Sequence, residues 1–382
     1  MTTLFEPYRL ANTHTLQNRI VMAPMTRTRT SAQGDVPTAL MAKYYAQRAS
    51  SGLIVTEATD VSTRSKGYAW TPGIHTDAQV EGWRHVTDAV HQNGGAIFLQ
   101  VWHVGRMAHT SLMPNGEAPW GVTDERSASD VFARGADGHM SFVPASAPRQ
   151  IATDEIPKVV EEFAIAFRNA QRSGFDGVEI HAANGYLFDQ FMNSTLNRRT
   201  DLYGGQMPQN RTRLLLDVVD AAIAVLGADK VGVRLSPGGR YNSMPEDPHV
   251  EETLSHLCDQ LGSRRVAYLH LVYQLMPSGN MNESEFNETT LSRDLVSKVR
   301  QAFAGTVIWC GGFTDHSARA AVDTGLVDLI AFGRPFISNP DLVARLRNGW
   351  PLAEAEPSTF YTRDGEKGYT DFPTYESPVT QA

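Results

Sequence analysis

Cysteine is scarce: the chain of 382 residues holds two, Cys258 and Cys310. They lie far apart and match neither a disulfide framework nor zinc or iron–sulfur spacing, so no metal site is expected. Such scarcity points to a reducing, cytoplasmic setting. Long apolar runs are missing too; none approaches the ~20 residues that cross a bilayer. The opening Met1-Thr2-Thr3-Leu4-Phe5-Glu6-Pro7 has neither a cationic end nor an apolar core, which excludes a signal peptide as its reading. Basic runs are absent, and 34 Lys and Arg against 42 Asp and Glu give a net charge of −8. That balance argues against nucleic acid or an anionic membrane as a partner. No repeat or low-complexity segment stands out. A glycine-rich turn after the first apolar strand is also lacking, since Met22-Ala23-Pro24-Met25-Thr26-Arg27 stands there. An open, doubly wound dinucleotide fold would be expected to carry one.

What the chain does hold is a rhythm. Short apolar runs occur at 19–24, 53–56, 96–100, 177–180, 230–235, 268–272, 307–310 and 329–332. Continuous runs of this kind fit parallel strands buried on both faces. Helical periodicity falls between them, at 38–50, 76–93, from Asp154 onward, and at 211–226, 250–262, 291–303, 315–324 and 339–347. Eight strands alternating with helices predict an α/β fold, a (β/α)8 TIM barrel spanning 1–382 as one domain, with its site at the C-terminal strand ends. Residues 106–149, rich in Gly, Pro, Ser and Asp, interrupt the rhythm after strand three and read as a capping insertion. Residues 10–18 read as a lid. The tail after Pro351 reads as packing across the barrel end.

The strand ends gather polar residues. After strand four stand His181, Asn184 and Tyr186. If the chain turns helically there, the first two share a face and can donate to one acceptor. Gly185 allows a tight turn, and Tyr186, a phenol protonated at neutral pH, can act as an acid. Taken alone, these three fit a loop that satisfies its own backbone better than they fit a site. Strand one ends in Pro24, Met25 and Thr26; strand two in Glu57 and Ala58; strand three in Gln100 and Trp102, with His103. Strand five supplies Arg234, which needs an anion and would most simply pair with a carboxylate. Gly311-Gly312 and Gly333-Arg334 follow strands seven and eight, where barrels commonly bind phosphate; the bland reading makes them turns. Tyr68 and Trp102 can wall the pocket, although a core role suits Trp102 equally well.

Several segments carry a resemblance: Asn18 through Arg27, Lys66-Gly67-Tyr68-Ala69, Gln100 through Arg106, His181 through Arg211, Val233-Arg234-Leu235-Ser236-Pro237, and Ala331 through Pro340. Over nearly its whole length the chain resembles the Old Yellow Enzyme family of FMN-dependent ene-reductases, especially its N-ethylmaleimide, pentaerythritol tetranitrate and xenobiotic reductase branch. The resemblance implies non-covalent FMN held by Pro24, Thr26, Ala58, Gln100, His181, Arg234, Gly311, Gly312, Gly333 and Arg334. It implies NADPH or NADH as hydride donor. Its substrates would be small electrophilic alkenes (α,β-unsaturated carbonyls, maleimides, nitroalkenes), with nitrate esters or nitroaromatics besides. It makes His181 and Asn184 the pair that binds the substrate's activating group, with Tyr68 and Trp102 beside them, and Tyr186 the proton donor. Both monomer and homodimer are compatible with it. The 106–149 and 238–249 segments do not match closely. Two other readings remain open here: a flavin-free barrel acting on a sugar phosphate, for which Glu57 is the available strand-end carboxylate, and a flavin-storing protein without turnover.

Overall fold

Eight parallel strands close into a barrel in the computed structural model, which describes residues 3–11, 13–135, 137–272 and 293–376. They are β1 (Ile20–Met22), β2 (Leu53–Val55), β3 (Ile97–Trp102), β4 (Gly177–Ala182), β5 (Val231–Leu235), β6 (Tyr268–Val272), β7 (Thr306–Cys310) and β8 (Leu329–Phe332). Each pairs with its neighbour in chain order, and β8 returns to β1 through Ile330↔Ile20, Ala331↔Val21 and Phe332↔Met22. Closure leaves the barrel without an open edge. The expected TIM barrel is present as a single domain.

Alternation along each strand separates two cores. Ile54, Leu99, Val178, Ile180, Val233 and Leu269 pack outward under the helices. Val21, Leu53, Val55, Phe98, Tyr268, Ile308 and Leu329 pack inward. Glycines at two strand positions make room for the inward rings. A Cβ at Gly177 would lie 2.5 Å from Phe98 Cζ, and one at Gly232 would lie 2.2 Å from Tyr268 Cζ. Beyond this apolar layer the same inward phase turns polar: Gln100, Glu179, His181, Arg234, His270 and Cys310 follow toward the C-terminal ends. The change from apolar to polar at constant phase creates a site on top of a filled barrel.

The crossover helices bury the stripes their periodicity predicts. Helix Asp77–Gln92 buries Val80, Trp83, Val86 and Val90, and opens with a capping box between Thr76 and Gln79. Helix Ile156–Arg172 buries Val159, Phe163, Phe167 and Ala170. The expected helix at 211–226 is broken at Thr212, whose hydroxyl donates back to the Pro208 carbonyl at 2.7 Å and separates Pro208–Arg211 from Arg213–Leu226. The expected helix at 339–347 is present as Leu342–Asn348, and a short helix that was not expected, Pro335–Ser338, precedes it. Asn339 lies between them, its side chain bonding the Pro335 and Ala353 backbones. Helix Arg293–Ala302 matches the 291–303 expectation, with Leu291 outside the described residues.

The lid expected at 10–18 is a plug at the opposite end. Strands Tyr8–Leu10 and His14–Leu16 form an antiparallel hairpin. Leu10 and Leu16 join the barrel interior, and the Tyr8 hydroxyl bonds Thr306, the first residue of β7. A two-stranded ribbon cannot bury its own apolar face, and the bottom of the barrel supplies the cover. At the top, the tail packs as expected: the Arg27 guanidinium donates to the carbonyls of Phe360 and Gly368, and Tyr369 stacks on Tyr44 at 4.1 Å. The 106–149 segment contains a hairpin of strands Asp130–Arg134 and Met140–Pro144. Its Val131 and Ala133 pack in one cluster with Trp102 and Tyr186. Among the described residues no helix is long and apolar enough to cross a membrane.

Candidate active site

His181 is the penultimate residue of β4, and the chain does not continue helically from it as the spacing suggested. It makes a left-handed turn instead, with φ +60° at Asn184 and +74° at Gly185. The Asn184 N–H donates to Ser236 Oγ at 2.7 Å, and its carbonyl accepts from Asn242 Nδ2 at 2.8 Å. A Cβ at Gly185 would stand 2.6 Å from the Tyr241 carbonyl oxygen, so the turn excludes side chains there. Asp189, half-buried in the first turn of helix Leu187–Met192, accepts from both the Gly185 N–H (2.8 Å) and Ser236 Oγ (3.0 Å). Burial pushes its carboxyl up to about 7. Gln190 ties the turn to the β3 loop, donating to the carbonyls of Gly185 and Val104.

The turn sets Tyr186 against three rings. Trp102 meets it edge-on at 4.9 Å and His181 at 5.1 Å, and its hydroxyl bonds that of Tyr68 at 3.4 Å. Trp102 in turn stacks with Tyr68 at 5.9 Å and with His181 at 6.3 Å. Burial pushes the Tyr186 phenol up to about 12, so it keeps its proton at neutral pH. Burial, aided by the Arg234 charge, holds His181 well below the usual imidazole range and therefore neutral. Three polar atoms here are buried without a protein partner: His181 Nδ1, Asn184 Oδ1 and Arg234 Nε.

Beneath lies a charged layer inside the barrel. Glu179 accepts from Gln100 Nε2 (2.7 Å), Tyr268 Oη (3.1 Å) and His270 Nδ1 (2.8 Å). Burial alone would raise the Glu179 carboxyl, but the neighbouring His270 reverses that and holds it below its ordinary value. His270 is raised in spite of burial, chiefly by Glu179, so the two form an ion pair. The Gln100 amide thus spends one hydrogen on Glu179 and keeps the other. Arg234, in register between His181 and His270, has no carboxylate partner among the described residues; its Nη2 reaches Cys310 Sγ at 3.8 Å. The simple carboxylate pairing weighed from sequence is not what the barrel provides.

Comparison with known proteins decides what kind of barrel this is. The NADH:flavin oxidoreductase / NADH oxidase family matches residues 3–353. The chain belongs to the Old Yellow Enzyme family of flavin-dependent NAD(P)H ene-reductases. The 12-oxophytodienoate reductase 2 of Arabidopsis thaliana is 41% identical over 375 residues, 98% of this chain and 96% of that one. A structure of morphinone reductase in complex with tetrahydroNAD superposes with a TM-score of 0.90 at 43% identity, covering 98% of both chains. The Old Yellow Enzyme homologue from Zymomonas mobilis gives 0.88 at 39% identity, covering 98% of this chain and all (100%) of that one.

Set in an Old Yellow Enzyme barrel, the expected site residues sort themselves. His181, Asn184, Tyr186, Tyr68, Trp102 and Arg234 converge, with Gln100 in the layer beneath. Pro24 and Thr26 are half-buried at the end of β1, and Ala58 is buried in one cluster with Trp102 and Tyr186. Gly311, Gly312, Gly333 and Arg334 stand partly or fully exposed after β7 and β8. Gly312 has φ +62° and open space where a Cβ would be. Glu57 and His103 do not join them. Glu57 is buried, accepting from the Arg27 N–H and Tyr45 Oη. His103 Nδ1 accepts from the Gly105 N–H, and burial lowers its ring to about 3. Sequence reasoning missed Asp60, Glu179, Asp189 and His270. Glu179 left one signal, a carboxylate inside the apolar run Val178-Glu179-Ile180.

Proposed function

We propose that His181 and Asn184 bind the oxygen of a carbonyl or nitro group conjugated to an alkene, and that Tyr186 protonates its α-carbon. The reading rests on one observation: the buried nitrogens His181 Nδ1 and Arg234 Nε lack protein partners among the described residues, beside a phenol that keeps its proton. Buried polar groups are nearly always bonded, so a cluster of unpaired ones suits a polar ligand. A neutral imidazole can donate from one ring nitrogen and the Asn184 amide from its NH2, so together they stabilise negative charge growing on the oxygen.

The residues fit FMN. Arg234, uncompensated by a carboxylate among the described residues, suits the anionic edge of the ring. Pro24, Thr26, Ala58, Gln100 and His181 would complete the ring contacts. Gly311, Gly312, Gly333 and Arg334 would hold the phosphate, the open space at Gly312 leaving room for it. FMN, when bound there, relays a hydride from NADPH or NADH to the β-carbon of the alkene. Tyr186 completes the addition by giving its proton to the α-carbon and regains one from solvent. Tyr68 and Trp102 wall the alkene, and the 106–149 segment caps it through Val131 and Ala133.

Tyr186→Phe tests the assignment. The ring stays, so reduction of the bound flavin by NAD(P)H should remain within about twofold of wild type, whereas enone reduction should slow by about 10²–10⁴-fold. A nitroalkene should lose less, since its nitronate product is stable enough to take a proton from water. Unchanged enone reduction in stopped flow would remove Tyr186 as the acid.

A further inference from the structure

Asp60 lies outside every role assigned above, yet it makes the shortest described contact to the ring system of the site. Residues Thr59–Asp60 run beside the end of β3, with Asp60 in parallel register opposite Trp102. Its backbone is fixed on both sides: the N–H donates to Pro72 O at 2.8 Å, and the carbonyl accepts from Ile74 N at 3.0 Å. Its side chain is 3% exposed. One carboxylate oxygen accepts from Trp102 Nε1 at 2.6 Å, the other from Thr71 Oγ1 at 2.8 Å. Lys66 Nζ stands 3.9 Å away and is itself paired with Asp35 at 2.6 Å.

A carboxylate is an expensive way to satisfy one indole N–H. A backbone carbonyl or a hydroxyl would serve without burying a charge. The arrangement makes sense if the angle of the ring matters. The Trp102 ring meets those of Tyr68, His181 and Tyr186 together, at 5.9, 6.3 and 4.9 Å. The Tyr186 hydroxyl is otherwise steadied by polar side chains alone, through a long bond to Tyr68 at 3.4 Å and through Asn242. Indole rotation about its side-chain torsions would release both the stacking on His181 and the edge contact to Tyr186. A short bond at the far edge of the indole, to a residue whose own backbone is pinned, removes that freedom, and it is charge-assisted once the Asp60 carboxyl is ionised, above about pH 7.

We infer that Asp60 is a positioning residue for the reduction: it locks the Trp102 indole, and through that ring it holds the Tyr186 phenol and the His181 imidazole in their working geometry. The functional half of this inference rests on the roles proposed for Tyr186 and His181. The structural half does not.

The experiment therefore has two readouts on the FMN-loaded protein at about pH 8.5, where Asp60, raised by burial to about 7, is ionised. The first is the Trp102 indole signal in a 1H–15N spectrum, identified by its absence in Trp102→Phe. In the wild type it should lie downfield of the other tryptophan signals, as a short bond to a carboxylate requires, and Asp60→Ala should move it upfield. The second is stopped flow of the two half-reactions. In Asp60→Ala, enone reduction should fall by about tenfold, the range for losing a bond to a charged group, with flavin reduction by NAD(P)H changed less than about twofold. Asp60→Asn keeps an acceptor for the indole and should recover most of the enone rate. An indole signal unmoved in Asp60→Ala overturns the lock. A moved signal with an unchanged enone rate overturns its catalytic meaning, and equal losses in both half-reactions make Asp60 merely structural. If Asp60→Ala does not fold, the nearly isosteric Asp60→Asn decides: a neutral acceptor must shift the signal upfield, and a signal that stays overturns the lock. Were the roles of Tyr186 and His181 themselves wrong, Tyr186→Phe would leave the enone rate unchanged as well, whereas a failure of the Asp60 inference alone leaves the Tyr186→Phe loss intact.

Discussion

Burial makes His181 and Tyr186 neutral by opposite shifts, one downward and one upward. Each is thereby left as a hydrogen donor, which is what an oxygen gathering negative charge and a carbon awaiting a proton require. Both residues were legible in the sequence because the stretch from His181 to Arg211 is distinctive. Asp60, Glu179 and His270 were not, since their partners come from other strands: Asp60 bonds Trp102, and His270 bonds Glu179. Pairings across a barrel depend on register, which periodicity alone does not supply. Arg334 stands exposed after strand eight, and on the proposed phosphate role its effect should be confined to binding. Arg334→Ala should weaken FMN retention, seen as a higher Kd on titrating the apoprotein, while flavin that remains bound reacts at a near-normal rate. An unchanged Kd would place the phosphate elsewhere.

The barrel strands were read to within a residue or two because short apolar runs buried on both faces have no competing pattern. The misreadings fell where a side chain captures the backbone. The helices expected from Arg211 and Asn339 begin at Arg213 and Leu342, after Thr212 and Asn339 have bonded backbone carbonyls, and the turn at Asn184–Gly185 is left-handed where helical spacing was weighed. The N-terminal hairpin was misplaced because an apolar ribbon fits either end of a barrel. Gly185 is the element-scale test. Any Cβ there suffers a left-handed backbone, at about 1–2 kcal/mol, and also meets the Tyr241 carbonyl at 2.6 Å. Gly185→Ala should lower the urea midpoint. It should also depress enone reduction more than flavin reduction, because the turn carries Asn184 and Tyr186 together. Wild-type stability and rates would show that the turn is not rigid.

At the scale of the molecule, the carboxyls of Glu57, Asp60 and Asp189, the first two buried and the third half-buried, are raised to about 7 by desolvation. The folded chain therefore holds protons that the unfolded chain gives up near the ordinary carboxylate pKa of about 4. On their account, stability is greatest below that value and falls as pH rises toward 7. Each contributes a slope of at most about 1.4 kcal/mol per pH unit. Asp189→Asn keeps an acceptor for the Gly185 N–H and should flatten the fall in urea midpoint between about pH 5 and pH 7. A slope equal to wild type would mean that Asp189 is ionised throughout. The molecule as a whole is a barrel that holds FMN and passes hydride from a nicotinamide to an activated alkene. The most direct test of that is the visible spectrum of the purified protein under anaerobic conditions. The protein should be yellow and release FMN on denaturation. NADPH or NADH should bleach it, and a cyclic enone added next should restore the colour with one equivalent of saturated ketone. A colourless protein that FMN cannot reconstitute, or a bleached one that no enone or nitroalkene restores, would contradict the account.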